Sequence, residues 1–495
     1  MSDSLEKKKS GLTAYPFLTA VSLFLIFGFG LVVKPWSTVT DLGVDILGIY
    51  FGVLLMLVCT KEAIWPPLMG LIALVIHGYG TSTQVLQSWM GNSTVVMIIF
   101  VWAICGALRD TKAPFVLANK LMSLKINKGH PMIFLFMLFL VTTILSMLTT
   151  GTASILMMYQ VAEGVIEAAG YKKDSQEYKF ILLGIYVSNI GSYMLPFKGV
   201  HINTLAIATG IMATYGIEFN QAQYLFSTCA TVVIFLVLYI LSMKYIFKCN
   251  LKPLGEIDSN KLDVGGEGTK FNFRQKVFLG AFVVGVVLLL LISFLPKGGA
   301  FQGFMSKLGN TWVWIIIFAV LCVPHKKDGK SFMDGGKYLR DNIMWGTVLM
   351  IACINICGQA ISSDTYGIKQ WLLEALTPVL GNMSFVAMVL VATVFCCTLT
   401  QFLNGAPIAY ILNTILIPFA CQNQLAGQGN ATAICSTITF CCFFAFITPA
   451  ASSLAPLITG HEAMTSKFLW TKGWFYTALW ALIAFACFTL FGFIM

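Results

Sequence analysis

Lys198, His201 and Asn203 stand close together in the stretch 188–210, SNIGSYMLPFKGVHINTLAIATG, which is otherwise apolar enough to cross a bilayer. A lysine at bilayer depth costs several kcal/mol, about 3 on insertion scales, so its default reading is functional. It pairs with an anionic ligand, or it takes the place of a coupling cation. Snorkelling to an interface is the other use of such a side chain. Lys198 lies nineteen residues beyond Lys179, about 28 Å of straight helix, and a later helix start or a tilt returns it to the midplane. His201 shares a face with Lys198 where helical geometry persists. It titrates near neutral pH and so suits proton coupling, or else it is a hydrogen-bonded structural histidine. Pro196 and Gly199 interrupt the helix here. Backbone groups freed within a bilayer survive only where they line a cavity or are buried in protein. The stretch therefore predicts a broken helix around a binding site.

A second stretch, FFAFITPAASSLAPLITG, repeats the pattern without charge through Thr448, Pro449, Ser452, Ser453 and Pro456. Unwound carbonyls and hydroxyls suit a cation such as sodium, or a carboxylate; a proline kink healed by Ser and Thr is the plainer reading. Two further apolar stretches, 131–169 and 384–421, are interrupted midway by small and polar residues. The first turns at Thr149, Thr150, Gly151, Thr152 and Ser154; the second turns at Thr400, Gln401, Asn404, Gly405 and Pro407. Each is too long for one helix and short for two spans, which predicts a re-entrant hairpin. The helix that starts after each tip directs its positive dipole end at the midplane, where it suits an anion. Close packing of small residues between helices is the alternative. Sodium, if it binds, is expected near Thr152, Asn404 and Thr448.

These residues need a frame. The chain has 495 residues, 58% hydrophobic and 11% charged, with mean hydropathy +0.82, a composition that belongs to membrane proteins. Apolar runs place eleven spans near 14–33, 44–60, 64–80, 93–108, 179–214, 223–248, 276–295, 311–324, 342–361, 431–460 and 472–494. The expected fold is an all-α polytopic membrane protein with two re-entrant hairpins. With the N-terminus inside and the C-terminus outside, 26 of the 31 Lys and Arg fall in cytoplasmic loops and four outside, leaving Lys198 in the membrane. That asymmetry sets orientation and accounts for the net charge of +10 without nucleic acid. A plasma-membrane location is the default.

The polar segment 250–275 divides the chain. Residues 1–43 hold the cytoplasmic N-terminus and first span. Residues 44–249 form one repeat, with hairpin 131–169 opening to the cytoplasm, and 276–495 a second, with hairpin 384–421 opening outward. An odd number of spans in the first repeat makes the two inverted, an arrangement that places binding sites at the midplane. Setting Thr209-Gly210 against Thr459-Gly460 puts Lys198 opposite Thr448 and Asn203 opposite Ser453.

Other functions find little support. The 14 Cys lie mostly within apolar runs without metal-ligand spacing, as small hydrophobes do. Paired carboxylates and a phosphate-binding GxxxxGK[ST] motif are absent, against an enzyme or an ATP-driven pump. No acid is well placed at mid-depth, against a cation/proton antiporter, which stays a rival together with oxyanion efflux. No cofactor is expected beyond sodium or a proton as coupling ion.

On these tips and breaks the chain resembles the divalent anion:sodium symporter family of the ion transporter superfamily. That family carries Ser-Asn-Thr at each tip, where this chain has Thr150-Gly151-Thr152 and Leu403-Asn404-Gly405. The resemblance implies a homodimer whose hairpins and broken helices move elevator-fashion, carrying di- or tricarboxylates. It assigns substrate contacts to Thr150, Thr152 and Asn404 by side chain, and to Gly151 and Gly405 by backbone. The departures, together with Lys198, point to sodium-independent transport with the ammonium in place of one coupling cation; sodium symport is the alternative.

Overall fold

The computed structural model describes residues 2–60, 62–197, 201–257, 266–294, 300–324, 331–380, 383–449, 451–452 and 454–495. Among these the chain is helical throughout, and six helices are long and apolar enough to cross a membrane. It is an all-α polytopic membrane protein.

The chain begins with α1 (Ser2–Val32), α2 (Asp41–Thr60) and α3 (Trp65–Ile76), which pack on one another. Pro66 and Pro67 open α3, where the missing amide hydrogen bonds cost nothing. The short α4 (Ser82–Met90) starts at a capping box, in which the Thr81 hydroxyl and the Gln84 side chain each accept from the other's backbone N–H. Then come α5 (Ser93–Asp110) and the short α6 (Ala113–Met122).

The first helix–tip–helix unit is α7 (Pro131–Leu148) and α8 (Gly151–Ala168). It leads into α9 (Gln176–Ser188), a 3-10 turn over Asn189–Tyr193, α10 (Ile202–Thr214) and α11 (Gln221–Leu241). After these come α12 (Phe273–Phe294), α13 (Ala300–Cys322), α14 (Gly335–Asp341), α15 (Trp345–Ser362) and α16 (Ile368–Leu380). The second unit is α17 (Phe385–Leu399) and α18 (Gly405–Leu425). The interrupted α19 (Ala431–Cys441) and α20 (Ala455–Thr459) follow it, and α21 (Ser466–Ile494) ends the chain. In both units the second arm stops two residues before a glycine in the left-handed region, Gly170 at φ +71° and Gly427 at φ +72°, which a side chain would strain.

The stretch read as one span over 179–214 is two helices with a break between them, and 431–460 divides in the same way. The short helices α4, α6, α14 and α16 were not legible as spans, because they are too short to cross a bilayer. The largest core lies where α7, α9, α11, α19 and α21 meet. Aromatic rings fill it: Tyr239 stacks on Tyr476 at 4.2 Å and Phe444 on Trp480 at 4.2 Å. Outside that core, in a partly exposed pair, Glu163 of α8 meets His461, just past α20, at 3.2 Å.

Candidate functional site

The first tip is assembled by hydroxyls. Thr149 Oγ1 donates to the Leu145 carbonyl at 2.6 Å and finishes α7. Thr150 caps α8 by accepting from Ala153 N. One turn into α8 the Ser154 hydroxyl lies 2.8 Å from that of Ser146 and donates to Asn189 Oδ1 at 3.2 Å. Ser192 donates to the same oxygen at 3.3 Å. A Cβ on Gly151 would stand 3.0 Å from the Asn189 amide and 3.1 Å from a Leu454 methyl. One small residue at the tip therefore touches both interrupted segments. The 3-10 turn is pressed onto α7: a Cβ on Gly191 would come within 2.3 Å of the Thr143 carbonyl.

The second tip works differently. Gln401 is fully buried. Its Nε2 donates to the Phe444 carbonyl at 2.7 Å, and its Oε1 accepts from Phe446 N at 3.2 Å and Ile447 N at 3.3 Å. Thr448 Oγ1 donates back to the Gln401 carbonyl at 2.6 Å, and Thr400 Oγ1 donates to the Cys442 carbonyl at 2.6 Å. The backbone groups released where α19 ends are thus met by a side-chain amide, as burial in a bilayer requires.

The two breaks face one another across a cavity of about 20 Å³. Tyr186, Asn189, Tyr193, Phe443, Ser452 and Leu454 are among its walls, and no described lining residue is charged. Tyr193 and Phe443 stack at 4.5 Å. The Tyr186 hydroxyl donates to the Ala445 carbonyl at 3.1 Å and lies 3.1 Å from Ser452 Oγ. The lining offers hydroxyls and an amide, a set that hydrogen-bonds an anion or coordinates a hard cation.

The expected residues are distributed unevenly. Ser452 lines the cavity and Gly151 abuts two of its walls. Thr448 bonds to Gln401, and Gly405 is fixed by close approach to the Cys442 carbonyl, 1.6 Å from where a Cβ would be. Thr150, Thr152, Asn404 and Pro449 are exposed and do not line it. Asn404 caps α18 through Ala406 N at 3.1 Å. His201 is fully buried one layer behind, with Nε2 3.0 Å from the Leu195 carbonyl and its ring among Tyr193, Tyr224 and Phe443. Asn203 is directed at Tyr410 of α18, and its Oδ1 is buried without a partner among the described residues. Lys198, Gly199 and Ser453 lie outside the described residues.

Tyr186, Asn189 and Gln401 were not singled out as site residues. Spacing carried a signal for one of them, since Tyr186 stands three residues before Asn189 and shares its face. Gln401 is a long amide in an apolar run, which has to find backbone partners when buried.

A family profile described as CitMHS, citrate transporter, matches residues 52–439. The chain belongs to this family. It is a membrane transporter of the secondary anion class and not an enzyme. It is 25% identical to an uncharacterized transporter of Haemophilus influenzae over 87% of each chain. It is 26% identical to the sodium-dependent dicarboxylate transporter SdcS of Staphylococcus saprophyticus, over 56% of this chain and 54% of that one. Its fold is similar to the solved structure of MtrF from Neisseria gonorrhoeae, described as illuminating a class of antimetabolite efflux pumps. There the TM-score is 0.55 at 13% identity, over 86% of this chain and 85% of that chain. At that identity the likeness is one of fold alone.

Proposed function

We propose that the protein carries di- or tricarboxylates across the membrane by an elevator-type alternating-access mechanism, as a homodimer with inverted repeats. One observation carries this reading: two interrupted segments and the Gly151 tip converge on a polar cavity whose described walls carry no charge. Interrupted helices facing one another supply free N–H groups and hydroxyls for carboxylate oxygens. A cavity of about 20 Å³ holds roughly one water. A carboxylate enters when the walls part, which alternating access provides. The Lys198 ammonium, read from the sequence as standing in for one coupling cation, makes transport independent of sodium, with proton coupling or anion exchange in its place.

Sodium symport is the second reading. It is favoured by the side-chain oxygens of Ser146, Ser154, Asn189 and Ser192 at the first tip, which converge as a hard cation's ligands do. Uptake of labelled citrate and succinate into proteoliposomes tests both. Imposed sodium gradients, pH gradients and internal carboxylate are compared for the wild type and Lys198→Ala. Uptake without sodium that is lost in Lys198→Ala supports the first reading. Sodium-dependent uptake that survives in Lys198→Ala establishes the second. Uptake of neither anion under any gradient defeats both.

A further inference from the structure

We propose that a groove between α11 and α21 binds one anionic glycerophospholipid, with an acyl chain on its apolar floor and the headgroup phosphate at Lys244 and Lys472. The groove encloses about 360 Å³ and is lined by Leu238, Leu241, Tyr245, Ile246, Phe475 and Leu479, with Ser242 at its base. One wall includes the end of α11, which is not an α-helix. Its last turn widens to a π-turn over Ser242–Ile246, with Phe247 N bonded to the Ser242 carbonyl at 2.9 Å. The extra residue per turn turns Tyr245 and Ile246 outward, 64% and 58% exposed. Such widened turns recur at binding sites.

The floor has no polar demand of its own. The Ser242 hydroxyl donates to the Tyr239 carbonyl at 2.6 Å and lies 2.9 Å from the Tyr476 hydroxyl. A polar solute would lose hydration there without replacement, whereas a hydrocarbon chain loses nothing. Both walls belong to helices long and apolar enough to span the membrane, so the medium against the groove is lipid. What remains is which lipid, and the rim decides that by charge. Lys244 Nζ lies 5.2 Å from the Tyr245 ring centroid. Lys472 Nζ lies 4.6 Å from that of Phe247, whose ring meets groove residue Phe475 edge-on at 5.3 Å. Neither lysine is in an ion pair among the described residues. The nearby Glu177 carboxylate is engaged by Asn250 N at 2.9 Å. Basic rims between membrane helices attract acidic headgroups, each lysine contributing about fivefold in affinity.

The test uses the full-length protein in detergent micelles, with thermal unfolding followed during titration of phosphatidylglycerol or phosphatidylcholine of the same acyl chains. A lipid bound to the folded state raises its apparent stability. Phosphatidylglycerol is expected to half-saturate at about 25-fold lower mole fraction than phosphatidylcholine, as two lysines imply. In Lys244→Gln/Lys472→Gln the two lipids come within about twofold of each other. In the wild type the preference shrinks in about 1 M salt, where screening falls to about 3 Å, so the wild type alone decides if the double variant does not fold. Equal responses to the two lipids overturn the proposal. So does a preference that survives the double substitution or high salt, or a shift produced by inorganic phosphate alone.

Discussion

Gln401 and Phe444 are joined side chain to backbone at 2.7 Å, so that the tip of the second helical unit holds open the end of α19. The same amide serves Phe446 N and Ile447 N. With the Cys397 carbonyl, which accepts from Nε2 at 3.2 Å, one side chain satisfies four backbone groups, in a place where water does not reach them.

Gln401→Leu keeps the size and removes all four hydrogen bonds. Buried groups left unpaired cost about 1–3 kcal/mol each, and part is recovered by relaxation. The expected net loss is about 3 kcal/mol, read as a lower unfolding temperature together with loss of transport. An unchanged unfolding temperature would show that Gln401 does not brace the break.

Gly405→Ala and Gly151→Ala separate structural from functional glycines. At Gly405 the new methyl would stand 1.6 Å from the Cys442 carbonyl, a backbone atom that cannot step aside. Little folded protein is expected, since overpacking against fixed backbone is among the severe mechanisms. At Gly151 the nearest atoms belong to side chains at 3.0–3.1 Å. That variant should fold and lose transport, measured as fluorescence-detected size exclusion beside uptake.

Tyr186→Phe deletes the hydroxyl that bridges Ala445 and Ser452. The stability cost is about 1 kcal/mol. With the cavity as substrate site, the larger effect falls on apparent affinity for the anion, since one wall loses both its donor and its tie to the opposite break. A change in neither affinity nor turnover would move the substrate away from this cavity.

Cys249, just beyond α11, has its thiol pushed up to about 12 by burial, with the Glu177 carboxylate adding to the shift. The thiolate is the reactive form, and at pH 8 a group raised this far is almost wholly protonated. Cys249 should therefore resist maleimide at pH 8 in the folded protein and react after unfolding, as peptide mass spectrometry of the labelled chain would show. Labelling of folded protein at the rate of an exposed cysteine would contradict its burial.

Much of the fold was written in the sequence in a form that needs no partner. Span positions follow from hydropathy, and the tips at 149–151 and 400–404 from small and hydroxyl residues amid apolar ones. Breaks followed from Pro196, Pro449 and their neighbours. These are local properties, set within a few residues of chain. The short α4, α6, α14 and α16 escaped because they are too brief to register as spans.

The site was legible only in its parts. Thr150, Thr152 and Asn404 have the residue types a carboxylate site wants, yet they are exposed and do not line the cavity. Tyr186 and Ser452, 266 residues apart, meet at 3.1 Å. Where a helix is interrupted, periodicity no longer says which way a side chain points, so the sequence by itself determined where the breaks fall and which chemistry they carry. Only the packing of α7, α9, α17 and α19 decided which of those oxygens face one another, because that contact is made by residues far apart in the chain and fixed by the shapes of the helices between them.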